Sequence, residues 1–372
     1  MRIALAILII TTTAASAAAA PAIDQAKSQF ADGKNAAAIR TLQQDGSPQA
    51  LDLLLQQLDE QQNWRHHERD ALLRALTSWP SEHERIAAAL FDHWDSFVIQ
   101  QHVQLVRLVG EWHLPKYAPK LAGLLSDPTQ IGLYRQTLES LEKVATRECV
   151  PALIVALPNP TSDDPRFQRR HHDIIVDLLG KLGDERAVPR LIAVFEHIDN
   201  THVWEAVSKA LGRIGTEEAV AAIEAKLEAN QRSERNRRAI EAGLFYATLP
   251  GARAYTEQAL QSDHIQTQVT AATALGETAT AQDAALLALA LLHDEPFVRQ
   301  AALAGVPGVL PQGREVMQRT IDQALELNRP HTAMLIAEAI GDDDRQRTAR
   351  TQLDTYRKAV ADEPKFHDGM GK

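Results

Sequence analysis

The feature that most constrains this chain is that it repeats itself. Leu178 to Leu191 reads L-L-G-K-L-G-D-E-R-A-V-P-R-L, and 32 residues later Ala210 to Ile223 reads A-L-G-R-I-G-T-E-E-A-V-A-A-I. The same frame recurs upstream over Ser140 to Leu153 and Leu108 to Leu121, and Ala274-Leu275-Gly276 lies 64 residues after Ala210-Leu211-Gly212. Anchoring on the leucine of this motif gives Leu42, Leu76, Val109, Leu141, Leu179, Leu211, Leu244 and Leu275, with weaker copies near Val306 and Ile340. A period of this length marks stacked supersecondary units, each too small to bury its apolar face alone. Aromatic content is only 5% while alanine and leucine abound, so the units are helical.

Within one period, Val203, Ala206, Val207, Ala210, Leu211 and Ile214 follow helical spacing, and Val188, Leu191, Ile192 and Phe195 do so in the preceding helix. Gly183 and Gly215 stand where a left-handed residue closes a helix, and Asp184 and Thr216 are N-caps for the next. Pro119, Pro151 and Pro189 fall early in a helix, where a missing N–H costs nothing. The expected fold is all-α: a solenoid of roughly ten stacked antiparallel helix pairs over residues 23–361, with a loose tail at 362–372. The longer spacing from Leu141 to Leu179 is taken up by a Pro- and Asp-rich turn over 158–165.

The frame A-L-G-x-I-G, a capped turn, then A-V-P-x-L resembles the HEAT-like repeats of the phycobilisome-lyase type, most clearly over residues 105–292. Tetratricopeptide repeats share the period, but their W-x2-L-G-x2-Y pattern is missing. Within the resemblance, some HEAT-like proteins are bilin lyases or di-iron hydroxylases. Sharing a repeat does not transfer activity.

Arg2, the apolar run Ile3 to Ile10 and the following alanine tract form the pattern of a secretory signal peptide over 1–22, with cleavage after Ala19 or Ala22. The other reading of this stretch is an uncleaved anchor. Export places the mature protein in a bacterial periplasm or outside the cell, with no stable membrane insertion after cleavage. Cys149 is the only cysteine, so stability comes from packing. The net charge of -10 argues against general binding to nucleic acid.

The templates for phosphate-binding loops, dinucleotide folds, nucleophile elbows and zinc peptidases are all missing from the sequence. Adjacent histidines such as His66-His67 and His171-His172 point about 100° apart on a helix and rarely share an ion. No cofactor, metal or catalytic residue is therefore expected, and the chain reads as a non-catalytic scaffold or adaptor of the cell envelope.

Two ladders occupy outward positions: Arg74, Arg107, Glu139, Asp177 and Lys209 two residues before the anchor, and Glu111, Lys143, Lys181 and Arg213 two after it. The expected partner site is the concave face or a basic rim, where Arg166, Arg169, Arg170 and His171 open one second helix and Arg235, Arg237 and Arg238 open another. Cations in a first turn oppose the helix dipole by about 0.3–1 kcal/mol each, so helix stability does not explain them. Trp204 stands between the two groups as an expected interface anchor. The partner is a second protein carrying an acidic segment; the alternative is an anionic polysaccharide or lipid headgroup.

Overall fold

The computed structural model describes residues 21–60, 64–157 and 172–361. Most of the expected leader, the 158–165 turn and the 362–372 tail lie outside the described residues, as do Arg166, Arg169, Arg170 and His171. The described chain is helical and contains no strand.

Two compact units divide the chain, one ending at Ala152 and the other starting at Leu153. The first holds α1 (21–31), α2 (Asn35–Asp45), α3 (Pro48–Glu60), α4 (His66–Thr77), α5 (His83–Asp92), α6 (Ile99–Glu111), α7 (Ala118–Leu124), α8 (Tyr134–Val144) and the start of α9 (Val150–Ala156). The second holds the rest of α9, then α10 (His172–Leu182), α11 (Val188–His197), α12 (Thr201–Ile214), α13 (Glu217–Ala229), α14 (Glu234–Tyr246), α15 (Pro250–Leu260) and α16 (Ile265–Thr278). It continues through α17 (Ala284–Leu291), α18 (Pro296–Ala302), α19 (Val306–Val309), α20 (Arg314–Glu326), α21 (Pro330–Ile340) and α22 (Asp343–Ala361). In each unit successive antiparallel pairs stack, first helix beside first and second beside second. Each unit is thus an α-solenoid.

The repeat anchors are the core. Leu42, Leu76, Val109, Leu141, Leu179, Leu211, Leu244, Leu275 and Val306 are fully buried, and Ile340 is 3% exposed. Their neighbours on the paired helix are Leu121, Leu153, Leu191, Ile223 and Leu287, all inaccessible to solvent. A small residue fills the first turn of that partner helix or the turn before it, and Cys149, Ala187 and Ala219 are all fully buried there. Burial pushes the Cys149 thiol pKa up, which suits packing better than nucleophilic chemistry.

The turns follow the sequence closely. Gly183 and Gly215 take φ of 61° and 68°. The Thr216 hydroxyl accepts from the Ala219 N–H at 3.2 Å, and the Asp184 carboxylate accepts from the Arg186 N–H at 3.0 Å. One difference is local: Asp184 leads into a 3-10 turn, Glu185–Ala187, before α11 begins at Val188. The buried face of α12 is also rotated by about one position from the expected one. Trp204, Val207, Ser208, Ala210, Leu211 and Gly212 are buried, while Val203, Ala206 and Ile214 are only partly so.

Gly212 explains that rotation. A Cβ at Gly212 would lie 1.9 Å from the Gly243 carbonyl oxygen, and one at Gly243 would lie 2.3 Å from that of Ser208. Helices α12 and α14 therefore touch backbone to backbone. The Ser208 hydroxyl sits in the same seam and donates to the Ala239 carbonyl at 3.0 Å. Gly180 against Ala210 and Gly276 against Ala301 repeat the close approach along the second unit.

Candidate functional site

In the second unit, α10, α12, α14 and α16 lie side by side, and their outward residues form the lining of two adjoining clefts. On α12, Thr201, Glu205, Lys209 and Arg213 recur every four residues, which on a helix makes one ridge. None of them belongs to the buried face.

The first cleft, of about 220 Å³, lies between the N-terminal halves of α12, α14 and α16. Thr201, His202 and Glu205 form one wall, Arg235 and Arg238 the middle, and Gln266, Thr267 and Thr270 the other wall. Local sequence positions them. Asn200 and Ser233 cap α12 and α14, with the Asn200 side-chain Oδ1 accepting from His202 N–H at 2.9 Å and the Ser233 hydroxyl from Asn236 N–H at 3.3 Å. The Thr201 hydroxyl donates to the Asn236 side chain at 3.1 Å and ties the two helix starts together. Glu234 partly balances the cations, pairing with Arg238 at 3.4 Å and His264 at 2.8 Å. Arg235 is exposed and forms no ion pair among the described residues.

The second cleft, of about 330 Å³, shares His202 and Glu205 with the first and runs on to Asp173, Asp177, Lys209, Arg213 and Tyr246. Here most of the charges are paired internally. Lys209 pairs with Glu205 at 2.6 Å and Lys181 with Asp177 at 2.7 Å. Arg213, only 14% exposed, bridges Asp177 on α10 and Glu277 on α16, each at 2.9 Å, and stacks over the Tyr246 ring of α14 at 4.4 Å. One arginine thus links four successive helices. Burial pulls its pKa down, and the hydrogen bond and charge of Glu277, with Tyr246 and Asp177 behind them, more than offset that, leaving it raised. Burial and the Glu277 carboxylate push the Tyr246 phenol up to about 12.

Of the expected rim residues, the structure brings Arg235 and Arg238 into one cleft. Arg237 is exposed on the same helix but outside that lining; it faces Glu241, whose carboxyl burial raises and Arg237 lowers. Trp204 corrects the expectation of an exposed anchor. It is 5% exposed, its indole N–H donates to the Ile198 carbonyl at 2.6 Å, and Lys226 lies 4.7 Å from its ring. It seals the junction of α12 with its own pair instead of facing a partner. Its spacing carried the signal, since Trp204, Val207, Ser208 and Leu211 fall at i, i+3, i+4 and i+7. Glu205 and the α16 threonines were not singled out from sequence, although the four-residue ridge on α12 pointed to Glu205.

Among the described residues, no three His, Cys, Asp or Glu side chains gather as a metal-holding group, and no helix is long and apolar enough to cross a membrane.

A family model described as HEAT repeats matches residues 170–243, the segment that forms α10 to α14. Solved structures include the complex of CpcE and CpcF of phycocyanin lyase from Nostoc sp. PCC7120, at 20% identity and a TM-score of 0.45, covering 64% of this chain and 94% of that one. Human deoxyhypusine hydroxylase in complex with glycerol matches at 16% identity and a TM-score of 0.25, covering 67% of this chain and 99% of that one. No curated protein shows significant similarity to the chain. Residues 170–243 thus match HEAT repeats, and both units are stacks of helix pairs.

Proposed function

We propose that this protein is a non-catalytic interaction scaffold of the bacterial cell envelope, and that the cleft between α12, α14 and α16 receives an acidic segment of a partner protein. The observation that carries this reading is the placing of Arg235 and Arg238. Arg235 is the second residue of α14, where the helix dipole disfavours a cation, and Arg238 lies one turn further on, paired with Glu234. Both front a cleft, and Arg235 forms no ion pair among the described residues. Paired internal charges, by contrast, occupy the second cleft and leave it little net attraction for a ligand. The envelope location rests on the apolar leader pattern of residues 1–22, and the lack of catalysis on the missing sequence templates.

Affinity capture from envelope extract tests the site. The protein with Arg235→Ser and Arg238→Ser should keep its thermal stability and lose affinity for its partner by roughly five-fold, since two partly exposed charge pairs contribute on the order of 1 kcal/mol together. Unchanged recovery would remove this cleft from the account. Salt-sensitive binding of an anionic polysaccharide with no protein recovered would assign the same cations to a glycan instead.

A further inference from the structure

A second groove lies wholly within the first unit. Arg40 on α2, Arg74 on α4 and Arg107 on α6 follow one another at intervals of 34 and 33 residues, each two positions before the buried anchors Leu42, Leu76 and Val109. Three successive second helices therefore present the same cation to one groove of about 780 Å³. All three arginines are exposed. Arg107 meets Glu111 at 3.4 Å in a half-exposed pair, whereas Arg40 and Arg74 form no ion pair among the described residues. Arg74 lies in the last turn of α4, where the dipole favours it, but Arg40 is mid-helix, beyond the reach of that effect.

The groove also has a shape. Glutamines span from α6 to α4, with the Gln104 amide donating to Thr77 and that of Gln101 to Asp70, both at 3.2 Å. Neighbouring helix axes stand about 8–10 Å apart, so the arginines recur at roughly that interval over about 20 Å. A ligand that meets all three arginines must therefore place its anionic groups at about the same interval along the groove.

We propose that this groove binds an acidic protein segment in the polyproline II conformation, with a carboxylate at every third residue. Such a chain rises about 3.1 Å per residue with three residues per turn, so residues i and i+3 face the same way about 9 Å apart, the interval of the arginines. A β-strand alternates sides and would turn every second such carboxylate away. The Gln43 and Gln104 amides stand along the groove and can bond the solvated peptide groups between the carboxylates. This site is independent of the cleft in the second unit.

Fluorescence anisotropy of the full-length protein with a labelled peptide of repeated Asp-Pro-Ala tests it, against a peptide of the same composition with its aspartates contiguous. At low salt the spaced peptide should bind roughly ten-fold more tightly. Arg40→Ser, Arg74→Ser and Arg107→Ser should each weaken it by up to about five-fold, the worth of an exposed charge pair. Arg74→Lys should restore most of the loss, and Arg235→Ser with Arg238→Ser should change nothing. Equal binding of the two peptides, or indifference to the three arginines, would overturn the proposal. So would dextran sulfate binding more tightly than the spaced peptide through the same arginines, which would make the groove a glycan site.

Discussion

At the residue scale, the glycine of the repeated motif does more for the fold than any other single position. Adding a methyl group at Gly212 places carbon 1.9 Å from a backbone oxygen that cannot step aside cheaply. Overpacking of this kind costs about 1–3 kcal/mol or more, which outweighs the ~1 kcal/mol that alanine gains over glycine in a helix. Gly212→Ala should therefore lower the denaturation midpoint. Gly123→Ala, in open space on α7, should raise stability by about 0.5–1 kcal/mol. Equal midpoints for the two variants in chemical denaturation would refute the backbone seam. The recurrence of glycine at 110, 180, 212 and 276 is visible in the sequence, but a glycine packed against a neighbouring backbone looks the same there as one that merely loosens a helix. Trp204 was misplaced for a related reason. A large amphipathic side chain at a helix start suits either a surface anchor or a seal, and only its register with Leu211 tells them apart.

At the element scale, helices and their ends were legible because caps, left-handed glycines and early prolines are local chemistry. Gly215, Thr216 and Pro189 needed no tertiary information to be placed. What joins one helix to the next was not legible. Arg213 reads in sequence as one cation of a ladder in a last turn, whereas in the fold it reaches both neighbouring acids and a tyrosine from three other helices. Tyr246 makes this cluster testable by pH. Its pKa rises from an unfolded value near 10 to about 12, so the folded state holds the phenolic proton more tightly. The associated stability is full below pH 10 and is lost as pH rises through about 12, amounting to about 3 kcal/mol for a shift of two units. Denaturation between those pH values should show Tyr246→Phe losing less stability than the wild type. Parallel losses in the two proteins would mean that the phenol is not held in this way.

At the scale of the whole molecule, the two units offer different surfaces. The first carries a row of arginines, one of them paired with Glu111, along a groove, and the second a cleft with Arg235 and Arg238 at its middle beside another whose charges are largely paired. A net charge of -10 conceals both, because composition sums over faces that never meet the same ligand. The architecture was readable from self-similarity alone, while the proposed partner surface was only half readable: Arg235 and Arg238 share a cleft, but the residues around them come from helices a full period away in sequence. The most direct test is photo-crosslinking in living cells, with a photoreactive residue placed at Arg238 in the cleft or at Glu228 on the exposed side of α13. The account predicts an adduct of one discrete mass in the envelope fraction from position 238 and none from 228. Adducts from both positions alike, or from neither, would contradict it.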